Sequence, residues 1–256
     1  MIKVVFFDVD NTLYSHKILK IPDSAVYAIN KLKENNIKVV LATGRHKLEL
    51  KLMDFRGIKF DAYLTLNGQL ILDRDFNLLF SEKINLEDLK ILEKIYNEKF
   101  IPMSFVEEND IYMNYHTKEV EEAQKLIGLS LPTEKQYSGN DIYQVTFFSD
   151  NESIEKVCKK LSNCKYTGWN KFGSDLINIG GGKAKAVEKI IKYFNIERTE
   201  TMAFGDGEND IDMLEYVEIG VAVGESNERL KNVADYITSG IENDGIKSAL
   251  EKYKII

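Results

Sequence analysis

Two cysteines, Cys158 and Cys164, in 256 residues are too few for a disulfide framework, and neither stands in a metal-ligand spacing. Two ordinary thiols in a reduced, cytoplasmic compartment are expected. The three histidines, His16, His46 and His116, are scattered and show no zinc pattern. No apolar run approaches the length of a membrane span. The N-terminal run stops at Asp8, too early for a secretory signal. Positive charge is also in deficit: 34 Lys and Arg against 41 Asp and Glu leave a net charge of −7. That argues against a general nucleic-acid binder, which needs a basic face. It does not exclude a phosphate substrate, because a local cation and a lysine override the global charge. With 44% hydrophobic and 29% charged residues the chain has enough apolar material for a real core. Its length allows one large domain or two smaller ones.

What the chain does contain is a rhythm of short apolar runs and amphipathic stretches. Val4, Val5, Phe6 and Phe7 have the β-rich character of a fully buried strand, expected over 2–7. Pro22, Asp23 and Ser24 open a helix whose apolar positions, Ala25, Val26, Ile29 and Leu32, share one face, and Asn35-Asn36 ends it. A second strand over 37–42 closes on Thr43-Gly44-Arg45, a helix follows over 46–55, and a third strand over 62–66 ends at Asn67-Gly68. This β-α-β-α-β order predicts a parallel sheet covered by helices on both faces.

The rhythm then changes. A hairpin is expected from 69–72 and 76–80 around Asp73-Arg74-Asp75. Helices over 86–99, 118–127 and 152–161 alternate with strands near 103–107, 111–115, 142–148 and 175–179, with a polar loop over 130–141. Paired strands and helices of this kind predict an α+β domain with a mainly antiparallel sheet. After Gly182 the first rhythm returns: helix 184–195, strand 201–205, helix 208–215, strand 218–223, helix 226–233, a short strand 235–237 and a helix 245–253. The simplest organisation is a core domain of 1–81 and 182–256 interrupted by an inserted domain of 82–181.

Four clusters carry chemistry. Asp8 and Asp10 follow the first strand, and ligands of open parallel sheets bind outside the carboxyl ends of strands. Two carboxylates there repel each other unless a cation sits between them, and oxygen-only donors favour a hard cation such as Mg²⁺. The others are Thr43-Gly44-Arg45, Lys183, and Gly205-Asp206-Gly207-Glu208-Asn209-Asp210. All but Lys183 directly follow an expected strand. Together they supply a nucleophile, a metal site, phosphate-oxygen donors and an acid/base. Each alone has an ordinary structural reading: a strand-end cap, a strand-to-helix turn, a solvated first-turn lysine, or carboxylates at a helix N-terminus. Gly180-Gly-Gly-Lys183 is no nucleotide loop, because Ile177 stands where that motif begins with glycine and Ala184 follows the lysine.

In this order and spacing the clusters resemble the haloacid dehalogenase superfamily over nearly the whole chain. Within it the match is to Cof-type hydrolases with a class IIB α/β cap. Leu41-Ala-Thr-Gly-Arg45, Leu66-Asn-Gly68, Lys183-Ala-Lys-Ala186, the run Gly205 to Met213 and Asn243-Asp-Gly245 carry the resemblance. It implies an α/β fold, a Rossmann-like doubly wound parallel sheet with an inserted α+β cap. It implies that Asp8 is the nucleophile that forms an aspartyl-phosphate, and that Asp10 protonates the leaving oxygen and later activates water. Mg²⁺ would be held by the Asp8 carboxylate, the Asp10 backbone carbonyl and Asp206, with Asp210 in support. The Thr43 hydroxyl, the Gly44 amide and Lys183 would hold phosphoryl oxygens. Asn209 joins this set, its amide reaching either a phosphoryl oxygen or the loop backbone. Two positions depart from the pattern: Asn11 replaces a usual glycine, which a left-handed asparagine tolerates, and Glu225 enters a run usually of small residues.

Arg45 and Asn67 are candidate substrate contacts. Tyr112, Gln144, Trp169 and Asp175 are further candidates whose ordinary reading is core or sheet surface. The implied activity is Mg²⁺-dependent hydrolysis of a small phosphomonoester, such as a sugar phosphate, by a monomer or homodimer that binds neither nucleic acid nor membrane. Two other classes stand beside it. A phosphohexomutase would need a basic inserted domain, whereas acids abound there. A non-catalytic metabolite sensor would be expected to have lost a core residue, whereas all are present.

Overall fold

The computed structural model describes residues 1–169 and 173–256. The chain first forms β1 (Val4–Phe7), α1 (Asp23–Glu34), β2 (Lys38–Ala42), α2 (Lys47–Leu50), β3 (Ala62–Thr65), β4 (Leu70–Asp73) and β5 (Leu78–Ser81). Next come α3 (Leu86–Asn97), β6 (Met103–Val106), β7 (Ile111–Met113), α4 (Lys118–Leu126), β8 (Thr133–Glu134), β9 (Gln144–Phe148), α5 (Asn151–Cys158), β10 (Cys164–Gly168) and β11 (Gly173–Asn178). It closes with α6 (Lys183–Phe194), β12 (Thr201–Gly205), α7 (Ile211–Tyr216), β13 (Ile219–Val223), α8 (Glu228–Val233), β14 (Tyr236–Thr238) and α9 (Gly245–Lys252). Contacts divide it into two units, Met1–Phe80 with Gly182–Ile256, and Ser81–Gly181.

The first unit is built on a sheet of order β14-β13-β12-β1-β2-β3-β4-β5. The six strands from β14 to β3 run parallel, and β4 turns antiparallel to β3. All four residues of β1 are buried, as a central parallel strand requires. Alternation divides them between faces. Val4 and Phe6 join Val40, Ala62, Leu64 and Ala203 under the apolar stripe of α6, Ala186, Val187, Ile190 and Ile191. Phe7, on the other face, stacks on Phe204 with ring centroids 5.1 Å apart. The chain leaves β1 toward β2 and β3, and later returns on its far side through β12, β13 and β14. That reversal puts a topological switch point at the carboxyl end of β1.

The second unit is a six-stranded sheet of order β10-β11-β9-β6-β7-β8. It is antiparallel except for the short β7–β8 pair. Met103, Phe105, Val145, Phe147 and Leu176 form one face against Leu89, Leu92, Ile95 and Tyr96 of α3 and Ile154 and Val157 of α5. On the other face Met113 and Phe148 pack with Val120 and Ala123 of α4. Tyr112 is wholly buried, as its ordinary reading held, and donates to Glu107 Oε1 at 2.6 Å.

Four elements differ from expectation, one of them the two-residue strand β8 (Thr133–Glu134), which lies inside the expected polar loop over 130–141. The helix over 46–55 shrinks to one turn, Lys47–Leu50, since Lys51, Leu52 and Asp54 are exposed and offer no face to bury. The helix over 208–215 is a 3₁₀ turn, Glu208–Asp210, followed by α7 from Ile211, because the Asp210 carboxylate accepts from the amides of Asp206 and Gly207. Strand β10 was not anticipated: it is a half-buried sheet edge whose five residues lack strong apolar alternation.

Gly68 shows how closely α6 approaches the sheet. Its φ is +86°, and a Cβ there would sit 2.5 Å from the Gly182 carbonyl oxygen and 2.7 Å from Ala186 Cβ. Gly68→Ala is therefore expected to destabilise the fold by about 2 kcal/mol or more, read as a lower midpoint in urea. An unchanged midpoint would contradict this packing.

Candidate active site

Three parallel strands deliver the site. Asp8 follows β1 and is fixed to β12 by its amide, which donates to the Phe204 carbonyl at 3.0 Å. The chain then turns tightly: the Val9 carbonyl accepts from Leu13 and Tyr14 amides at 3.0 and 2.7 Å. Asn11 takes the left-handed conformation, φ 57°, that its side chain tolerates. The turn brings Thr12 to the loop after β12, where its hydroxyl donates to Asp206 Oδ1 at 2.8 Å. Thr12 had no role assigned from sequence, although it stands only two residues past Asp10.

Thr43 follows β2 and is buried; its hydroxyl accepts from the Arg45 amide at 3.1 Å and keeps its own proton to donate. Gly44 lies between them, partly exposed. The loop after β3 clasps this turn, with the Asn67 amide donating to the Thr43 carbonyl at 2.9 Å and the Leu66 amide to the Arg45 carbonyl at 3.1 Å. Asn209 Nδ2 donates to Asn67 Oδ1 at 2.9 Å, so the amide whose target was open from sequence joins two loops.

Lys183 is the first residue of α6 and is buried. Gly182 before it has φ 122°, a conformation that suits glycine. The ammonium donates to Asp8 Oδ1 and Asp210 Oδ1, both at 2.6 Å. Asp210 Oδ2 accepts the amides of Asp206 and Gly207 at 3.1 and 3.0 Å, so both its oxygens are used. Asp8 Oδ2 and Asp206 Oδ2 have no bond among the described residues. Carboxylate oxygens of Asp8, Asp206 and Asp210 lie within 4.8 Å of one another.

Two buried carboxylates, Asp8 and Asp210, and the half-buried Asp206 thus surround one buried ammonium. Burial, and then the neighbouring carboxylates against the counter-pull of Lys183, drive Asp8 well above the usual range. Burial and the Asp210 charge push Asp206 up to about 7. Lys183 is discouraged by burial, but the charges of Asp210 and Asp8 more than compensate and hold it protonated. The unbalanced negative charge and all-oxygen donors fit a small hard cation, which Asp8 and Asp206 would hold while Asp210 fixes the loop.

Asp10 lies in a different environment. Burial disfavours its charge, yet hydrogen bonds from His16 and Arg45 and their charge hold it well below the usual carboxylate range. Arg45 is a two-point partner of Asp10, Nε to Oδ2 at 2.8 Å and Nη2 to Oδ1 at 2.7 Å. His16 was missed from sequence. It stands six residues past Asp10 with no regular spacing, and only the turn at Asn11 brings it back.

A model of the haloacid dehalogenase-like hydrolases matches residues 5–250. The chain belongs to this family. The YkrA protein of Bacillus subtilis is 29% identical over 99% of this chain and 98% of its own length. Among solved structures of the haloacid dehalogenase superfamily, the phosphatase BT1666 of Bacteroides thetaiotaomicron superposes with a TM-score of 0.91 at 30% identity, covering 100% of this chain and 96% of that one. BT4131, a subclass IIB sugar phosphatase, gives 0.89 at 31% identity over 99% and 100%. The Cof-type assignment and the Rossmann-like core with an inserted cap hold. The protein is a phosphatase of the haloacid dehalogenase type. Among the described residues no helix is long and apolar enough to cross a membrane.

If the carboxylates form a cation site, millimolar Mg²⁺ should raise the melting temperature over that in chelator. At one hundred times the dissociation constant the gain is about 2.7 kcal/mol. Asp206→Asn should abolish most of this shift. An equal shift in that variant would remove Asp206 from the site.

Proposed function

We propose that this phosphatase is Mg²⁺-dependent, hydrolyses small phosphomonoesters such as sugar phosphates, and works through an aspartyl-phosphate on Asp8. The observation that carries this reading is Lys183 bridging Asp8 and Asp210, with Asp206 beside them, at the carboxyl ends of adjacent parallel strands. Residues 1–81 and 182–256 serve as the catalytic domain and 82–181 as the substrate-selecting one. A cytoplasmic monomer or homodimer agrees with the composition.

In the first step an Asp8 oxygen attacks phosphorus. The bond to the leaving oxygen breaks, and that oxygen takes a proton from Asp10, which must first have gained one from solvent. In the second step water attacks the aspartyl-phosphate and passes a proton to Asp10, freeing phosphate and Asp8. Lys183, the Thr43 hydroxyl and the Gly44 amide would face the phosphoryl oxygens, where fixed donors favour the spread charge of the transition state. Bound Mg²⁺ would neutralise charge on the phosphoryl oxygens and the carboxylates that hold it. Arg45 and Asn67 are bonded to Asp10 and Asn209. Besides being candidate substrate contacts, they hold groups at the site.

Phosphate release from a broad panel of phosphomonoesters tests the reading. Wild type should turn over with Mg²⁺ and stop with chelator. Asp8→Asn should lose at least about 10³-fold in kcat while remaining folded. Retained activity in Asp8→Asn would overturn the nucleophile assignment. Turnover that survives chelation would overturn the metal requirement.

A further inference from the structure

The loop after β1 folds back and places one imidazole against Asp10. The Asn11 amide donates to the Tyr14 carbonyl at 2.9 Å. Buried Ser15 anchors the next turn: its hydroxyl accepts from the amides of Lys17 and Ile18 at 3.2 and 3.3 Å and donates to Glu242. The Tyr14 ring stands edge-on to His16, centroids 5.4 Å apart. His16 is thus fixed from both sides, and its Nε2 lies 2.6 Å from Asp10 Oδ1.

Arg45 grips both Asp10 oxygens from the loop after β2. His16 adds a third donor, to Oδ1, from the same connection after β1 that carries Asp10. An ionised carboxylate only accepts, so the imidazole nitrogen facing it carries the hydrogen. Three donors then converge on one carboxylate, two from a cation, an arrangement that fixes its orientation. The side chains of His16 and Asp10 keep 26% and 32% of their exposure, so water competes for Asp10 and the third donor matters to its aim.

We infer that His16 is a positioning residue for the second chemical step, holding the Asp10 carboxylate in the orientation it needs as the base that takes the proton of the attacking water. No motif that carries the family resemblance includes His16. The inference rests on the two-step mechanism proposed above. It has a kinetic signature that loss of fold does not share. In such a mechanism kcat/KM reports events up to departure of the leaving group, whereas kcat also contains hydrolysis of the aspartyl-phosphate.

The test uses 4-nitrophenyl phosphate with wild type, His16→Ala and His16→Gln. General-base assistance contributes roughly 10²–10⁴-fold, so loss of aim in His16→Ala should lower kcat about 10-fold. Because 4-nitrophenolate is weakly basic and leaves without a proton from Asp10, KM should fall in parallel, leaving kcat/KM within about 2-fold. A burst of 4-nitrophenolate close to the enzyme concentration should precede the slow steady state. His16→Gln, whose amide can still donate to Asp10, should recover most of kcat and lose the burst. Unchanged kcat in His16→Ala, a fall in kcat/KM as large as that in kcat, absence of a burst, or a glutamine variant no better than alanine would each overturn the inference. A wild-type protein that hydrolyses no ester defeats the phosphatase mechanism itself, and this inference with it.

Discussion

The site depends on one buried ammonium. Lys183 sits between Asp8 and Asp210 with its side chain wholly enclosed. Moving such groups out of water costs several kcal/mol per ion, recovered only when geometry and hydrogen bonding are good. Much of the first unit serves that geometry. β1 and β12 lie side by side and set the separation of Asp8 from the loop that carries Asp210. Gly182 adopts a left-handed backbone to start α6, and Gly68 lets the start of that helix settle against the turn after β3. The apolar stripe of α6 under Phe6, Val40 and Ala203 holds the lysine in place from below.

Two carboxylates two residues apart are driven in opposite directions by their surroundings. Asp8 shares a buried, negatively crowded place with Asp206 and Asp210, where charge is disfavoured until a cation joins it. Asp10 faces a guanidinium and an imidazole, which favour its charge. The tight turn at Asn11 achieves the separation, sending Asp8 toward β12 and Asp10 toward the loop after β2.

Some of this was legible in the sequence because it is local. Strand β1 followed by Asp8, the buried face of α1, the return of the α/β rhythm at Gly182, and the clusters at Thr43 and Asp206 are all written in short windows. The misses have a common cause. Whether a helix continues past Leu50, or the turn at Glu208 becomes α-helical, depends on contacts outside the window: solvent on one side, a carboxylate taking two amides in the other. Edge strand β10 gains its identity from β11 and from little in its own residues.

The sequence by itself determined the alternation of elements, the location of the oxygen-rich and amide-rich clusters at strand ends, and the order in which they follow one another. It determined the family through that order. The tertiary structure decided what each group bonds to. It turned Arg45 and His16 onto Asp10, tied Asn209 to Asn67, gave Thr12 to Asp206 and buried Lys183 between two carboxylates. These pairings join residues up to 194 positions apart. Hydrogen bonds act over about 3 Å in space, and only the twist and register of the sheet bring such distant residues within that range.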